Sequence, residues 1–182
     1  FLCSVFLSLL LIAAIILFIL WLSLRPHRPR IHLHDFSVPG LTQPNGFENA
    51  RITFNVTARN ANQAIGIYYD AMAASGYYRD DPIGSTPLPS PFYQAPKNTV
   101  VLVGELAGAT LNVNNHRWME FEADRARGTM VFRLEVTATI RFRISRWRSR
   151  RHRMHANCDV GLGPDGLILA RSKDERCPVY FT

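Results

Sequence analysis

The segment RFRISRWRSRRHR, Arg141 to Arg153, places seven arginines in thirteen positions with a tryptophan among them. A guanidinium grips a carboxylate or a phosphate through two parallel N–H donors, and an indole packs on a sugar face or sits at a lipid interface. Arg141, Arg143, Arg146, Trp147, Arg148, Arg150, Arg151 and Arg153 therefore form a candidate anion-binding surface. The plain alternative is a solvated strand end with its hairpin loop.

Other chemistry is sparse. His32 and His34 alternate on one strand face and could supply two metal ligands, but the sequence places no third or fourth, so no metal is expected. Asp80-Asp81 precedes Pro82 and reads as a turn rather than a carboxylate pair. The sequence contains no G-x-S-x-G elbow, phosphate-binding loop or G-x-G-x-x-G turn. An enzyme is unsupported, and neither catalytic residues nor a cofactor are expected.

The elements that must position the arginines begin with the first 24 residues, which carry no charge and no proline. That length crosses the roughly 30 Å hydrocarbon core as one helix. A cleaved signal peptide would have an apolar region of only about 7–15 residues, whereas Phe18, Trp21 and Leu22 carry this run up to Arg25. The expected layout is a transmembrane helix over 1–24, a basic juxtamembrane linker over 25–30 and one domain over 31–182. The chain opens at Phe1 without an initiator methionine, so a preceding cytosolic segment is expected.

All charge follows the helix, giving the domain a net charge of +7. Its natural neighbours are anionic: phospholipid head groups, acidic polysaccharide or nucleic acid. The span makes nucleic acid the least accessible, and none is expected. Cys3 lies in the span as an apolar filler or, near a cytosolic interface, an acylation site. Cys158 and Cys177 could close one disulfide in an oxidising compartment or remain two reduced thiols.

Two signals disagree about sidedness. RPHRPR, Arg25 to Arg30, would lie in the cytosol by the positive-inside rule. Asn55-Val56-Thr57 is an N-glycosylation sequon, usable only in the secretory lumen. Because the rule compares two flanks and one is missing, a type II arrangement with the domain outside is favoured.

Within the domain, Thr129 to Ile144 alternates as a half-buried strand, long enough to expect a bulge near Thr137-Ala138. Arg51 to Arg59 alternates likewise and puts Asn55 on the outer face. Further strands are expected over Arg30–Val38, Ala64–Ala71, Ser75–Asp80, Thr99–Gly104, Met154–Leu162, Leu167–Ser172 and Pro178–Phe181. Turns are expected at Pro39-Gly40, Pro44-Asn45-Gly46, Asp81 to Pro91 and Gly163 to Gly166, with Pro82 to Pro96 as a long surface loop. Asn114 to Arg127 reads as the domain's one helix, with Trp118, Phe121 and Glu122 at helical spacing. The fold class is all-β, an antiparallel sandwich.

Several stretches in order resemble the plant NDR/HIN-like proteins, the harpin-induced and non-race-specific-resistance relatives of the group-2 late embryogenesis abundant proteins. They are the apolar span with LRPHRPR, NANQAIGIYYD (Asn60 to Asp70), APKNTVVLVGELAG (Ala95 to Gly108), ISRWRSRRHRMHANCDVGLGPDG (Ile144 to Gly166) and CPVYF (Cys177 to Phe181). Asn60, Asn62, Gly66, Tyr68, Tyr69 and Asp70 carry the family motif, whereas Ala61 replaces the family's usual proline, which leaves that loop freer.

The resemblance implies a seven-stranded, immunoglobulin-like or fibronectin-like sandwich with a short helix. It implies a single-pass plasma-membrane protein, also found at plasmodesmata, with its domain facing the cell wall and a role in defence and stress. It supports pairing of Cys158 with Cys177 and supplies no catalytic residue. The expected function is a membrane-anchored binding module for acidic wall polysaccharide, the membrane surface or surface proteins, with homo-oligomerisation left open. The alternative is a tethered lipid-binding or lipid-transfer domain that uses the gap between its sheets.

Overall fold

Alternating apolar residues force strands to bury one face, and here two antiparallel sheets bury theirs against each other. The computed structural model describes residues 2–23, 25–41, 47–111 and 115–182. The order is α1 (Leu2–Ser23), β1 (Arg30–Ser37), β2 (Phe47–Arg59), β3 (Gly66–Tyr78), β4 (Asp81–Pro87), β5 (Phe92–Gln94), β6 (Thr99–Leu111), α2 (Asn115–Ala126), β7 (Met130–Ile144), β8 (Trp147–Arg148), β9 (His152–Leu162), β10 (Glu175–Cys177) and β11 (Val179–Phe181). The smaller sheet runs β10-β1-β2-β6. The larger runs β11-β9-β7-β3-β4, with β5 also on β3 and β8 on β7.

Within α1, Cys3–Leu22 has a mean hydropathy of 3.1 and is long and apolar enough to cross a membrane. None of its most apolar stretch is buried against the rest of the chain.

Leu33 and Phe36 of β1, and Ile52, Phe54 and Val56 of β2, meet Tyr69 of β3 and Phe132, Leu134 and Val136 of β7 in one buried core. The Phe36 and Phe132 rings lie 6.2 Å apart across the two sheets. Each large apolar side chain buried here contributes about 1.5–3 kcal/mol. Cys158 on β9 is bonded to Cys177 on β10, with 4.7 Å between their Cα atoms. Because β9 and β10 belong to different sheets, the bond staples the sandwich across its layers, worth about 3 kcal/mol by chain entropy for a loop of this length.

At one end, α2 docks through Phe121, which is fully buried and meets the Tyr78 ring edge-on at 5.6 Å. The Tyr78 hydroxyl donates to buried Asp124 at 2.8 Å. Arg79 donates to the same oxygen at 3.1 Å, and Arg127 also pairs with Asp124. Burial and the bond to Asp124 push the Tyr78 hydroxyl up to about 12. Burial pushes Asp124 up as well, but the bonds from Tyr78, Arg79 and Arg127 outweigh it and leave the carboxyl below its ordinary value.

Several elements differ from the sequence expectation. Ala64–Ala71 and Ser75–Asp80 are one strand, β3, whose inward phase changes from Ile67 and Tyr69 to Met72, Ala74 and Tyr78. The change occurs at Asp70, where Tyr69 pairs with Ile140 and Ala71 with Thr139, so the irregularity lies on β3 and not at Thr137-Ala138. Strand β7 pairs with β9 without interruption from Met130 to Ile140.

The stretch expected as a long loop over Pro82 to Pro96 holds β4 and β5. Its prolines are tolerated because β4 is an edge strand, with a register shift beside Pro82. Strands β2 and β6 run longer than expected, from Phe47 and to Leu111. Leu167–Ser172 makes single bridges at Leu167 and Ile168 and a 3-10 turn over Ala170–Ser172 instead of a strand. The short β5, β8, β10 and β11 raise the described strands to eleven, beyond the seven that the resemblance implied. Asn114, the Pro44-Asn45-Gly46 turn and the Trp118 side chain lie outside the described residues.

Candidate anion-binding site

Antiparallel pairing decides which residues share an end of the sandwich. Arg30 at the start of β1 pairs with Arg59 at the end of β2, and Arg59 with Thr99 at the start of β6. In the other sheet Gly66 pairs with Arg143, Ile140 with His152, and Met154 with Phe181. The end where the chain arrives from α1 is therefore also the end that carries the arginine run.

The linker is fixed to this end. The His27 backbone N–H donates to Asn62 Oδ1 at 2.6 Å, and Asn62 Nδ2 donates back to the His27 carbonyl at 2.9 Å. Arg28 donates to the Val179 carbonyl at 3.0 Å and stacks over Phe181 at 5.4 Å. Residues 24–26 separate helix α1 from His27. Four steps of extended chain reach at most about 14 Å, so the basic end is leashed to the helix terminus.

The motif residues build this end. Asn60 and Asn62 are buried. Asn60 Nδ2 donates to the carbonyls of Ile65 and Ala95, and Asn60 Oδ1 accepts from the backbone and side chain of Asn62. The loop is thus tied on both sides of Ala61 without a proline. The Tyr69 hydroxyl donates to Gln94 Oε1 at 3.1 Å inside the core, and burial pushes that hydroxyl far up. Gly66 leaves the space in which the Tyr93 ring lies, since a Cβ there would come within 2.2 Å of the Tyr93 hydroxyl. The Tyr93 ring can therefore reach that of Tyr68, 4.7 Å away.

Onto Tyr68 come guanidiniums from two strands. Arg148 lies 4.8 Å from its ring centroid, and Arg141 and Arg143 each 5.9 Å. Arg143 also stands 5.5 Å from the Tyr93 ring and donates to the Tyr68 hydroxyl at 3.0 Å and the Ser145 carbonyl at 2.9 Å. Asp70, the bulge residue of β3, accepts from Arg141 at 2.5 Å and Arg151 at 3.2 Å. Burial pushes Asp70 up, but those two bonds and charges outweigh it and hold the carboxyl below its ordinary value. Arg141 Nε is buried and has no hydrogen-bond partner among the described residues.

The arginine run therefore divides. Arg141, Arg143 and Arg148 gather on Tyr68, and Arg151 joins them through Asp70. Arg146 and Arg150 are exposed near the β8 hairpin, and Trp147 projects beside Arg146 with 62% of its surface exposed. Arg153 lies on β9, where it lines an open cleft with Thr137, Thr139 and His155. The sequence reading missed Tyr93, whose signal was the Phe92-Tyr93-Gln94 alternation among prolines, and missed Arg28.

The other sequence candidates lie elsewhere. Asn55 sits on the outer face of β2 between Asp35 and Val103, half-buried, with a buried Oδ1 that has no hydrogen-bond partner among the described residues. Both ring nitrogens of His34 are engaged, one by Asp174 and one by Thr57. Among the described residues no group of His, Cys, Asp or Glu is arranged to hold a metal ion.

Comparison with known proteins matches residues 55–159 to the late embryogenesis abundant protein family. NDR1/HIN1-like protein 26 of Arabidopsis thaliana is 29% identical over 170 residues, covering 90% of this chain and 80% of its own. NDR1/HIN1-like protein 10 of the same plant is 30% identical over 159 residues, covering 86% of this chain and 70% of its own. Protein NDR1, also from Arabidopsis thaliana, is 29% identical over 175 residues, covering 91% of this chain and 77% of its own.

Proposed function

We propose, from the premise that this chain belongs to the late embryogenesis abundant protein family as an NDR1/HIN1-like member, that it is a non-enzymatic, membrane-anchored surface protein of plant defence and stress response. In this reading α1 crosses the plasma membrane once, at plasmodesmata as well as elsewhere, and the domain lies on the wall side. The basic end of the sandwich rests on anionic head groups beside the span. The carrying observation is that His27 is bonded to Asn62, so that a three-residue leash holds the arginine cluster next to the end of the apolar helix. Exposed Trp147 beside these arginines suits a membrane–water interface.

The packed space between the sheets favours surface recognition over a lipid groove. Phe36, Phe54, Phe132, Tyr69 and Tyr78 fill it. Two clefts of about 560 and 370 Å³ are instead lined by Arg79, Asp124 and Arg133 in one case and by Ala71, Thr137 and Arg153 in the other.

The test is full-length chain reconstituted in neutral bilayers and in bilayers with anionic lipid, with Trp147 emission isolated by difference against Trp147→Phe. A blue shift that needs anionic lipid is expected. No shift, together with retention on a pectin column that Arg146, Arg148, Arg150 and Arg151→Ser abolishes, would move the target to acidic wall polysaccharide. Sidedness is read from the gel mobility of full-length chain with and without glycosidase. A shift lost in Asn55→Gln is expected, whereas no shift with freely alkylated Cys158 and Cys177 would put the domain in the cytosol.

A further inference from the structure

The arginine cluster is built more narrowly than a basic surface needs to be. Nonspecific attraction to a membrane requires only positive charge within a Debye length, and mobile lysines supply it. Here Arg141, Arg143 and Arg148 converge on the ring of Tyr68 from two strands, so the three guanidiniums are held where solvation alone would keep them apart. Arg143 is fixed by the Tyr68 hydroxyl and the Ser145 carbonyl, and Arg141 and Arg151 by Asp70.

Charge and donors are left over. Four guanidiniums gather at Tyr68 and Asp70, two of them bonded to the one carboxylate of Asp70 and two stacked on the ring, an excess of three positive charges within the cluster. Among the described residues the Arg148 side chain makes no hydrogen bond, and Arg141 Nε is buried with no partner. A carboxylate carries one charge and two acceptor atoms, enough for one guanidinium fork. A phosphate monoester carries about −1.5 to −2 near neutral pH and presents three terminal oxygens, enough for several forks at once.

We infer that the Tyr68 cluster is a discrete binding site for a phosphate monoester, and that its occupant is the phosphate head group of a membrane lipid beside the span. The inference rests on the membrane-facing reading above, because the leash from α1 to His27 is what brings the site to head-group depth. Lysine could replace arginine in a merely basic surface, but it cannot reproduce the planar fork or its stacking on tyrosine.

The experiment uses full-length chain in nanodiscs of neutral lipid, of neutral lipid with phosphatidylserine, and of neutral lipid with phosphatidic acid at matched surface charge. Amide exchange over residues 143–151 is followed as lipid fraction is raised. Half-protection is expected at about tenfold less phosphatidic acid than phosphatidylserine, the ratio that one additional charge-assisted fork supplies. The double variant Arg143→Lys, Arg148→Lys keeps the charge and should bring the ratio to about one. Arg146→Lys with Arg150→Lys should leave the ratio unchanged. Tyr68→Phe removes the hydroxyl that holds Arg143 but keeps the ring, and is expected to lower the preference even if the lysine variant folds poorly.

Lowering the pH from 7 to 5 should also erode the preference, since the second phosphate ionisation near pH 6 is lost. Equal protection by both anionic lipids, or a preference that survives the lysine variant, overturns the phosphate site and leaves the membrane-facing reading standing. No protection by either lipid overturns both. Protection in neutral nanodiscs by inorganic phosphate, equal to that by phosphatidic acid, overturns the lipid as occupant.

Discussion

The two ends of the sandwich use the same three residue types to opposite effect. At the α2 end, Tyr78 points into the core, its hydroxyl donates to buried Asp124, and Arg79 and Arg127 close the network from outside. Glu120 lies within 3.5 Å of Arg79 as well, so charges there are nearly matched. At the linker end, Tyr68 lies on the outer face, and its ring is a platform for cations that outnumber Asp70. A matched and enclosed cluster holds an element in place, whereas an unmatched and half-open one has capacity left for a ligand. The difference lies in which way the tyrosine faces and in the ratio of arginine to carboxylate.

The comparison is broken most forcefully at Phe121. Phe121→Ala should cost about 3–5 kcal/mol, read by urea unfolding, and loosen α2. Binding of anionic bilayers should be unaffected where the protein is still folded. A loss of binding there would mean that the ends are not independent.

Asp124→Asn is the next largest, because it leaves the Tyr78 hydroxyl and two guanidiniums short of an anion; about 2–3 kcal/mol of stability should be lost. The matching change at the other end, Asp70→Asn, should cost at most about 1 kcal/mol, since Arg151 is largely exposed and solvent takes over. It should also tighten binding to anionic bilayers by about threefold, as one carboxylate no longer competes for the guanidiniums. Weaker binding in Asp70→Asn would show that Asp70 is needed chiefly to position Arg141.

The smallest effects are those of pH. Asp70 and Asp124 both titrate below their ordinary value in the folded chain, so each contributes stability that is present above about pH 4 and lost as pH falls through its folded value. Tyr78 is raised to about 12, so its contribution is complete below pH 10 and disappears as pH rises toward 12. Thermal melts should therefore show an alkaline loss that Tyr78→Phe reduces. His32 is held below 6.5 by burial first and then by Arg176, His34 and Arg30. Its contribution is present above pH 6.5 and declines as pH falls, so His32→Gln should flatten the melting curve between pH 6.5 and 5.

What the sequence revealed follows the range over which its signals act. The alternation of β7, the half-buried pattern of Ile52 to Ala58 and the density of the arginine run are local, and each is legible from neighbours in the chain. The bulge at Asp70 was not, because it shifts the phase of alternation and made one strand read as two. Strands β4 and β5 were hidden by prolines that an edge can tolerate. The gathering of arginines on Tyr68 joins residues 73 to 80 positions apart, and depends on the space that Gly66 leaves for Tyr93. No count of arginines could show it. That Cys158 and Cys177 lie in different sheets was likewise a property of topology.

The paired hydrogen bonds between His27 and Asn62 carry a mechanical consequence. A long flexible stalk would let a domain turn freely while its anchor stayed still. With only residues 24–26 between α1 and the fixed His27, the slack is at most about 14 Å, so in the membrane-anchored reading a large tilt of the helix would be passed on to the strands, and a pull on the strands would be felt by the helix. In that reading the point at which load would enter the sandwich is the Asn62 side chain.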